Sequence, residues 1–182
     1  FQVLNRTEEA LTFSVRHAVT PLTTVRVSTD LERNRFDHTL DRDTDALRVL
    51  SSVELAPSAL VSGNVEVGFR TSHAVGGTTT PFNGVVGKAD VAYVLLGATR
   101  LSLQLRRDRD YSYDSRWPYY VSTGVSVSVN QRVANAWDAQ VSVGRQGLAY
   151  RASNPTAADA RRRDRVASLS LGTSYRIGPT TR

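Results

Sequence analysis

The stretch STGVSVSVN, Ser122 to Asn130, alternates without interruption: Thr123, Val125, Val127 and Val129 on one parity, Ser122, Gly124, Ser126, Ser128 and Asn130 on the other. Side chains on a strand point to opposite faces with period two, so this segment is read as a β-strand with one apolar and one polar face. What each face meets decides the fold. The apolar face meets either a protein core or lipid, and the polar face meets either bulk water or an enclosed wet space.

The 182 residues are one domain's worth of chain. The net charge of +6 comes from 23 basic and 17 acidic residues that are intermixed, as in RRDRD at Arg106–Asp110, so no one-sided basic helix marks a nucleic-acid binder. Cysteine is absent, which excludes a disulfide framework and a thiolate metal site. The chain begins at Phe1 and has no methionine, so it is expected to be a processed chain or a fragment. No run approaches the roughly 18 apolar residues of a membrane helix. Any membrane crossing has to be made by strands.

Prolines 21, 57, 81, 118, 155 and 179 all lie between alternating segments. Read between them, the segments are 8–19, 23–36, 45–56, 60–74, 84–96, 99–113, 119–132, 136–150 and 164–178, which predicts nine strands. Connections of two kinds take turns along the chain. VTPLT (19–23), APSAL (56–60), LGATR (96–100), VANAW (133–137) and IGPTT (177–181) are tight and nearly uncharged. FDHTLDRDTD (36–45), AVGGTTTPFNG (74–84), DSRWPY (114–119) and SNPTAADARRRDR (153–165) are long, charged or glycine-rich. Thr20, Ser58, Gly97, Asn135 and Pro179, one from each tight turn, are spaced by 38, 39, 38 and 44 residues. Each interval is one hairpin, which places the tight turns at one end of a meander and the long loops at the other.

The two parities differ in kind. One carries Leu11, Phe13, Val15, Val27, Val49, Val67, Leu103, Val121, Val127, Val143 and Leu171, and charges enter it only towards the long-loop end, at Arg33, Arg35, Arg107 and Arg109. About ten residues at roughly 3.3 Å each, tilted by roughly 45°, span about 23 Å. The other parity carries the ionisable candidates Arg26, Asp30, Arg48, Glu54, Glu66, Arg70, Lys88, Asp90, Arg100, Arg106 and Asp108 among serine, asparagine and glutamine. Lys88 is the only lysine in the chain. Arginine with carboxylates suits interlocking networks better than a solvated surface, because the guanidinium fork pairs with them bidentately. Aromatics gather at both ends: Trp137, Tyr93 and Tyr175 near the tight turns, Tyr111, Tyr113, Trp117, Tyr119 and Tyr120 near the long loops.

This construction resembles the bacterial outer-membrane β-barrels, with their short periplasmic turns, longer external loops and segments of about ten alternating residues. The resemblance covers the whole chain and rests on pattern. It implies an all-β, antiparallel up-and-down transmembrane barrel domain over 1–182. Nine strands and the absence of a terminal aromatic strand predict a partial barrel, since bacterial single-chain barrels have even strand numbers. It also implies a porin-like protein of the cell outer membrane, with Val125, Val127 and Val129 facing lipid and the eleven ionisable residues lining a wet lumen. Two aromatic belts at the membrane interfaces fit the same picture.

Sharper motifs fail. Asp41, Asp43 and Asp45 alternate as in a calcium loop, but Ala46 and Ser52 stand where an EF-hand requires glycine and glutamate. His17, His38 and His73 share no metal-ligand spacing, and neither His73 with Asp114 nor His38 with Asp43 is accompanied by a marked nucleophile. No catalytic, metal or cofactor residue is assigned. The run Arg161–Arg165 is expected to contact lipopolysaccharide or to join a loop network of ion pairs rather than to bind nucleic acid. Three readings remain in play: a passive pore for small or saccharide solutes, a soluble or cell-surface all-β module that binds through its long loops, and an outer-membrane hydrolase with a rim site. The first is preferred. Its expected partners are outer-membrane lipid and lipopolysaccharide, a polysaccharide or small polar solute, and further copies of the chain.

Overall fold

A computed structural model describes residues 4–76, 80–114, 116–134, 136–153 and 162–175. Among them nine strands run in chain order: β1 (Arg6–Thr20), β2 (Thr23–Phe36), β3 (Thr44–Leu55), β4 (Val61–Ala74), β5 (Phe82–Leu95), β6 (Thr99–Tyr111), β7 (Tyr119–Ala134), β8 (Trp137–Arg151) and β9 (Arg163–Tyr175). A 3-10 turn at Leu40–Arg42 interrupts the β2–β3 connection. Each strand pairs antiparallel with its neighbour in sequence, giving one sheet in the order β1 to β9. The nine expected segments all appear, with ends displaced by a few residues. Arg176, Ile177 and the turn at 177–181, Asn135, and the loop positions 77–79, 115 and 154–161, which include Arg161, lie outside the described residues.

Strands form here because alternation lets each satisfy two environments at once while the ladders pair the backbone. The tight connections are short enough to fix register. In the β5–β6 turn Leu96 and Gly97 both have positive φ, 50° and 68°, the pairing of signs that matches the twist of a hairpin. Leu96 bears the steric cost of that conformation with its side chain fully exposed. Gly63 of β4 has φ 137°, and a Cβ there would lie 1.9 Å from the Asp90 carbonyl oxygen of β5, so only glycine permits this pairing.

Direct cross-strand partners share a face, and the registers carry one parity unbroken across the sheet. On the apolar face Leu101, Val129, Val141 and Leu171 form one row and Leu103, Val127, Val143 and Leu169 the next. These side chains are exposed, Val127 at 43 % and Leu171 at 72 %. Among the described residues nothing covers this face. At the tight-turn end Trp137 and Tyr175 are register partners with ring centroids 4.9 Å apart, both half exposed.

The sheet departs from a uniform wall at one seam. β5 pairs with β4 out to Phe82 and β6 pairs with β7 out to Tyr111, but the β5–β6 ladder stops at Gly87 and Arg107. Above that pair the two strands separate, and the Arg107 guanidinium donates to the Val85 carbonyl across the opened seam (3.1 Å). Tyr119 and Val121, on the apolar parity of β7, pack with Leu50, Phe82 and Val86 from the polar parity of β3 and β5. Opposite faces of one sheet meet in this way only where one part crosses over the other. The tip of the β6–β7 hairpin lies across the polar face of β2–β5.

This crossing corrects two expectations. Val121 does not share the exposure of the apolar face but is buried, as is Tyr119. Nor do the long-loop aromatics form a belt: Trp117 and Tyr119 are buried, Tyr111 is half-buried, and Tyr113 alone of the five is well exposed. The physical reason is the open seam, which turns the outward parity of the tip towards the interior.

Candidate functional site

The eleven ionisable residues of the polar parity fall on one face. Arg26, Ser52, Glu66, Lys88 and Arg106 are successive register partners across β2 to β6. Asp30, Arg48 and Arg70 make a second row, Glu54, Asn64 and Asp90 a third. Arg100 and Asp108 share the parity of Arg106 on β6.

The second row closes into a lattice. Arg48 Nε donates to Asp30 Oδ2 at 3.0 Å, its Nη2 lies 3.1 Å from Glu32 Oε1, and its Nη1 is 3.7 Å from Asp108 Oδ2. Arg70 donates to Glu32 Oε2 at 2.5 Å and to Asp108 Oδ1 at 3.1 Å. Glu32 and Asp108 are thus each shared by two guanidinium groups, and Thr12 donates to Asp30 from β1 (2.8 Å). Asp30, Glu32 and Arg70 are almost inaccessible, so each charge relies on its partners in place of water. Away from the lattice the pairs are as close but more exposed to water: Arg16 with Glu54 at 2.9 Å, Lys88 with Asp90 at 2.8 Å and Arg106 with Asp110 at 3.3 Å.

Asp108 also anchors the crossing hairpin. Around it Tyr111 meets Phe36 edge-on with centroids 5.1 Å apart, and its hydroxyl contacts that of Thr44. The Arg109 guanidinium sits 4.5 Å from the ring centroids of both Tyr111 and Tyr119, and Tyr119 donates to the Pro81 carbonyl at 3.2 Å. From the β2–β3 loop Arg42 donates to the carbonyls of Ser112 (2.8 Å) and Asp114 (2.9 Å). Burial lowers the pKa of Arg42, opposed by the nearby Asp41 and Asp114. Hydrogen bonds from Arg116 hold the Asp114 carboxyl below its usual range. Beneath the tip lies a cavity of about 420 Å³ lined by Arg6, Glu32, Arg70, Asp110, Tyr113 and Tyr120, among others.

The candidates read from the pattern share one face of the sheet, but the pattern misses Glu32 as a lattice member and Arg42, Arg109 and Tyr111 as parts of the clasp. A signal for the clasp does exist: Leu50, Phe82 and Val86 are apolar on the polar parity, while Arg107 and Arg109 are charged on the apolar one. The alternating acids of 41–45 have structural work, since Asp43 accepts from the Phe36 amide (2.8 Å) and Asp45 pairs with Arg35 (2.7 Å). Arg162 pairs with Asp164 at 2.6 Å and lies over Tyr150, a loop network of the kind expected for this run.

A meander with one exposed apolar face, one charged face, tight turns at one end and long loops at the other is the construction of an outer-membrane β-barrel. The chain belongs to the porin family described as "Putative beta-barrel porin 2", whose model matches residues 4–181. No curated protein and no solved structure matches the chain.

Proposed function

We propose that the chain forms part of the wall of an outer-membrane pore through which small polar or saccharide solutes diffuse. One observation carries this reading: all eleven ionisable candidates share one face of the sheet while the other presents exposed valine and leucine. A charged face enclosed by a barrel hydrates the path, and the apolar face meets lipid without uncovered backbone. Mixed charge on the lining, with tyrosines beside it, favours hydroxyl-rich solutes over bare ions, because forked polar groups and ring faces both match sugars. The β6–β7 tip narrows the path at the long-loop end.

Planar-bilayer recording of the full natural chain tests the pore; no conductance from folded, inserted protein overturns it. Two arginine replacements separate lining from lattice. Arg100→Glu, at the rim of a roughly 550 Å³ cavity near the tight turns, shifts the reversal potential towards cations with folding intact. Arg48→Glu instead puts a fourth carboxylate among Asp30, Glu32 and Asp108, and costs on the order of 3 kcal/mol of stability, read from denaturant unfolding in detergent. Recovery of the parent as a folded monomer without detergent supports the soluble module instead.

A further inference from the structure

The apolar parity of β6–β9 carries, towards the long-loop end, a group of arginines that the pore has no use for. Registers put Arg107, Thr123, Gly147 and Arg165 in one row and Arg109, Val121, Ala149 and Arg163 in the next, with Arg145 opposite Val125 and Arg151 opposite Tyr119. Arg109 is buried in the clasp. Arg107, Arg145, Arg151, Arg163 and Arg165 are exposed. Among the described residues no Asp or Glu occupies this parity anywhere in β6–β9, since Asp108, Asp110, Asp138 and Asp164 all fall on the other. None of the five arginines has a carboxylate within ion-pair distance among the described residues. On the β1–β4 side the same level is neutralised: Arg33 pairs with Glu9 (3.8 Å) and Arg35 with Asp45 (2.7 Å). The basic group borders the belt of Val125, Val127, Val143, Ala167 and Leu169 on the same strands. Beside the open seam it surrounds a cleft of about 320 Å³ lined by Arg107, Arg151, Arg163 and Arg165 with Thr123, Gly147 and Asp164, the last already paired with Arg162 (2.6 Å).

We propose that this cleft binds the phosphates of an anionic glycolipid in the outer leaflet. Three physical requirements meet there. The long-loop end is the outward-facing end of such a barrel. Guanidinium groups bind phosphate bidentately, and four arginines around a cleft whose one carboxylate, Asp164, is held by Arg162 leave an excess of positive charge that attracts an anion from the membrane. The apolar rows directly below take the acyl chains while the phosphates stay at the level of the arginines. The proposal rests on the transmembrane reading of the sheet.

Native mass spectrometry of the full natural chain in mild detergent tests it, with diphosphorylated lipid A, the same lipid dephosphorylated, and inorganic phosphate as competitor. The phosphorylated lipid is retained and the dephosphorylated one is not. Arg151→Gln, Arg163→Gln and Arg165→Gln together weaken retention by roughly a hundredfold. Arg162→Gln, which removes a cation already paired with Asp164, leaves retention unchanged. Equal retention of both lipids by the wild-type protein, or undiminished retention by a folded triple variant, overturns the proposal. Displacement of the lipid by millimolar phosphate also overturns it, because the site is then a simple anion site. Should the triple variant not fold, the two-lipid comparison on the wild type still decides. A parent that folds without detergent fails the barrel reading itself, a result distinct from loss of lipid retention by an inserted barrel.

Discussion

Val127→Arg prevents stable insertion, and Ser126→Arg and Ser128→Arg do not. The three positions are consecutive on β7, share the same backbone environment and differ only in face. Val127 stands in the middle of a four-strand apolar row with Leu103, Val143 and Leu169. Arginine near the middle of the lipid-facing belt of a barrel costs about 2–4 kcal/mol, and no carboxylate exists on this parity of β6–β9 to offset it. Ser126 and Ser128 lie opposite Gln104 and Ser102 on the polar face, where a guanidinium finds water and carbonyl partners. The measurement is the heat-modifiable fraction after refolding into lipid, with the urea midpoint of whatever folds. A pattern in which all three variants fold equally well removes the assignment of faces, and with it the membrane reading. Arginine at Val121 is informative beside them: that residue has the lipid parity but is buried under the seam, so its cost comes from breaking the clasp rather than from contact with lipid.

Why the wall was legible and the clasp was not follows from the range of the forces involved. Alternation is a local property, and a one-residue slip of register moves every side chain to the wrong face, so strands and faces are specified residue by residue. STGVSVSVN has only one strand reading, and the hairpin spacing of the tight turns orders the strands without long-range information. The ionisable set is legible for the same reason, because parity alone assigns Arg48 or Asp108 to a face. Which carboxylate each arginine meets depends on the approach of strands distant in sequence: Arg70 and Asp108 are 38 residues apart, and Arg48 reaches the same carboxylate. The clasp requires more still, since Arg42 finds the Ser112 carbonyl 70 residues away. Its trace in the sequence is a set of exceptions, Leu50, Phe82 and Val86 against Arg107 and Arg109. Such exceptions become interpretable only when the β5–β6 ladder is seen to end at Gly87 and Arg107. The aromatic clusters illustrate the same limit. Trp137 and Tyr175 keep an interface-like exposure, whereas Tyr111 and Tyr119, equally suited to an interface by composition, cradle Arg109 instead.

Tyr119→Ser combined with Val121→Ser converts a narrowed pore into a wider one. Both side chains leave the lipid belt at the seam and are buried against Leu50, Phe82 and Val86, so their apolar area holds the tip across the polar face without contributing to contact with lipid. Exposing two such side chains forfeits about 1.5–3 kcal/mol each. At about 1.4 kcal/mol per tenfold, the crossed position loses on the order of a hundredfold in population or more. What remains to hold the tip is the Asp108 lattice, the Tyr111–Thr44 contact and the bonds from Arg42. Against them stands a cost already present in the crossed state, for Nε and Nη1 of Arg109 are buried without hydrogen-bond partners. Released, β6 has a place to go: continuing the existing register sets Asp108 beside Val86 and Arg109 beside Val85, which restores ladder hydrogen bonds along the open seam. Single-channel conductance of the double variant therefore rises several-fold, and larger saccharides become permeant, while the heat-modifiable fraction is unchanged because the tip lies outside the belt. Conductance equal to that of the wild type, in a variant that folds, shows that the crossing hairpin does not narrow the path.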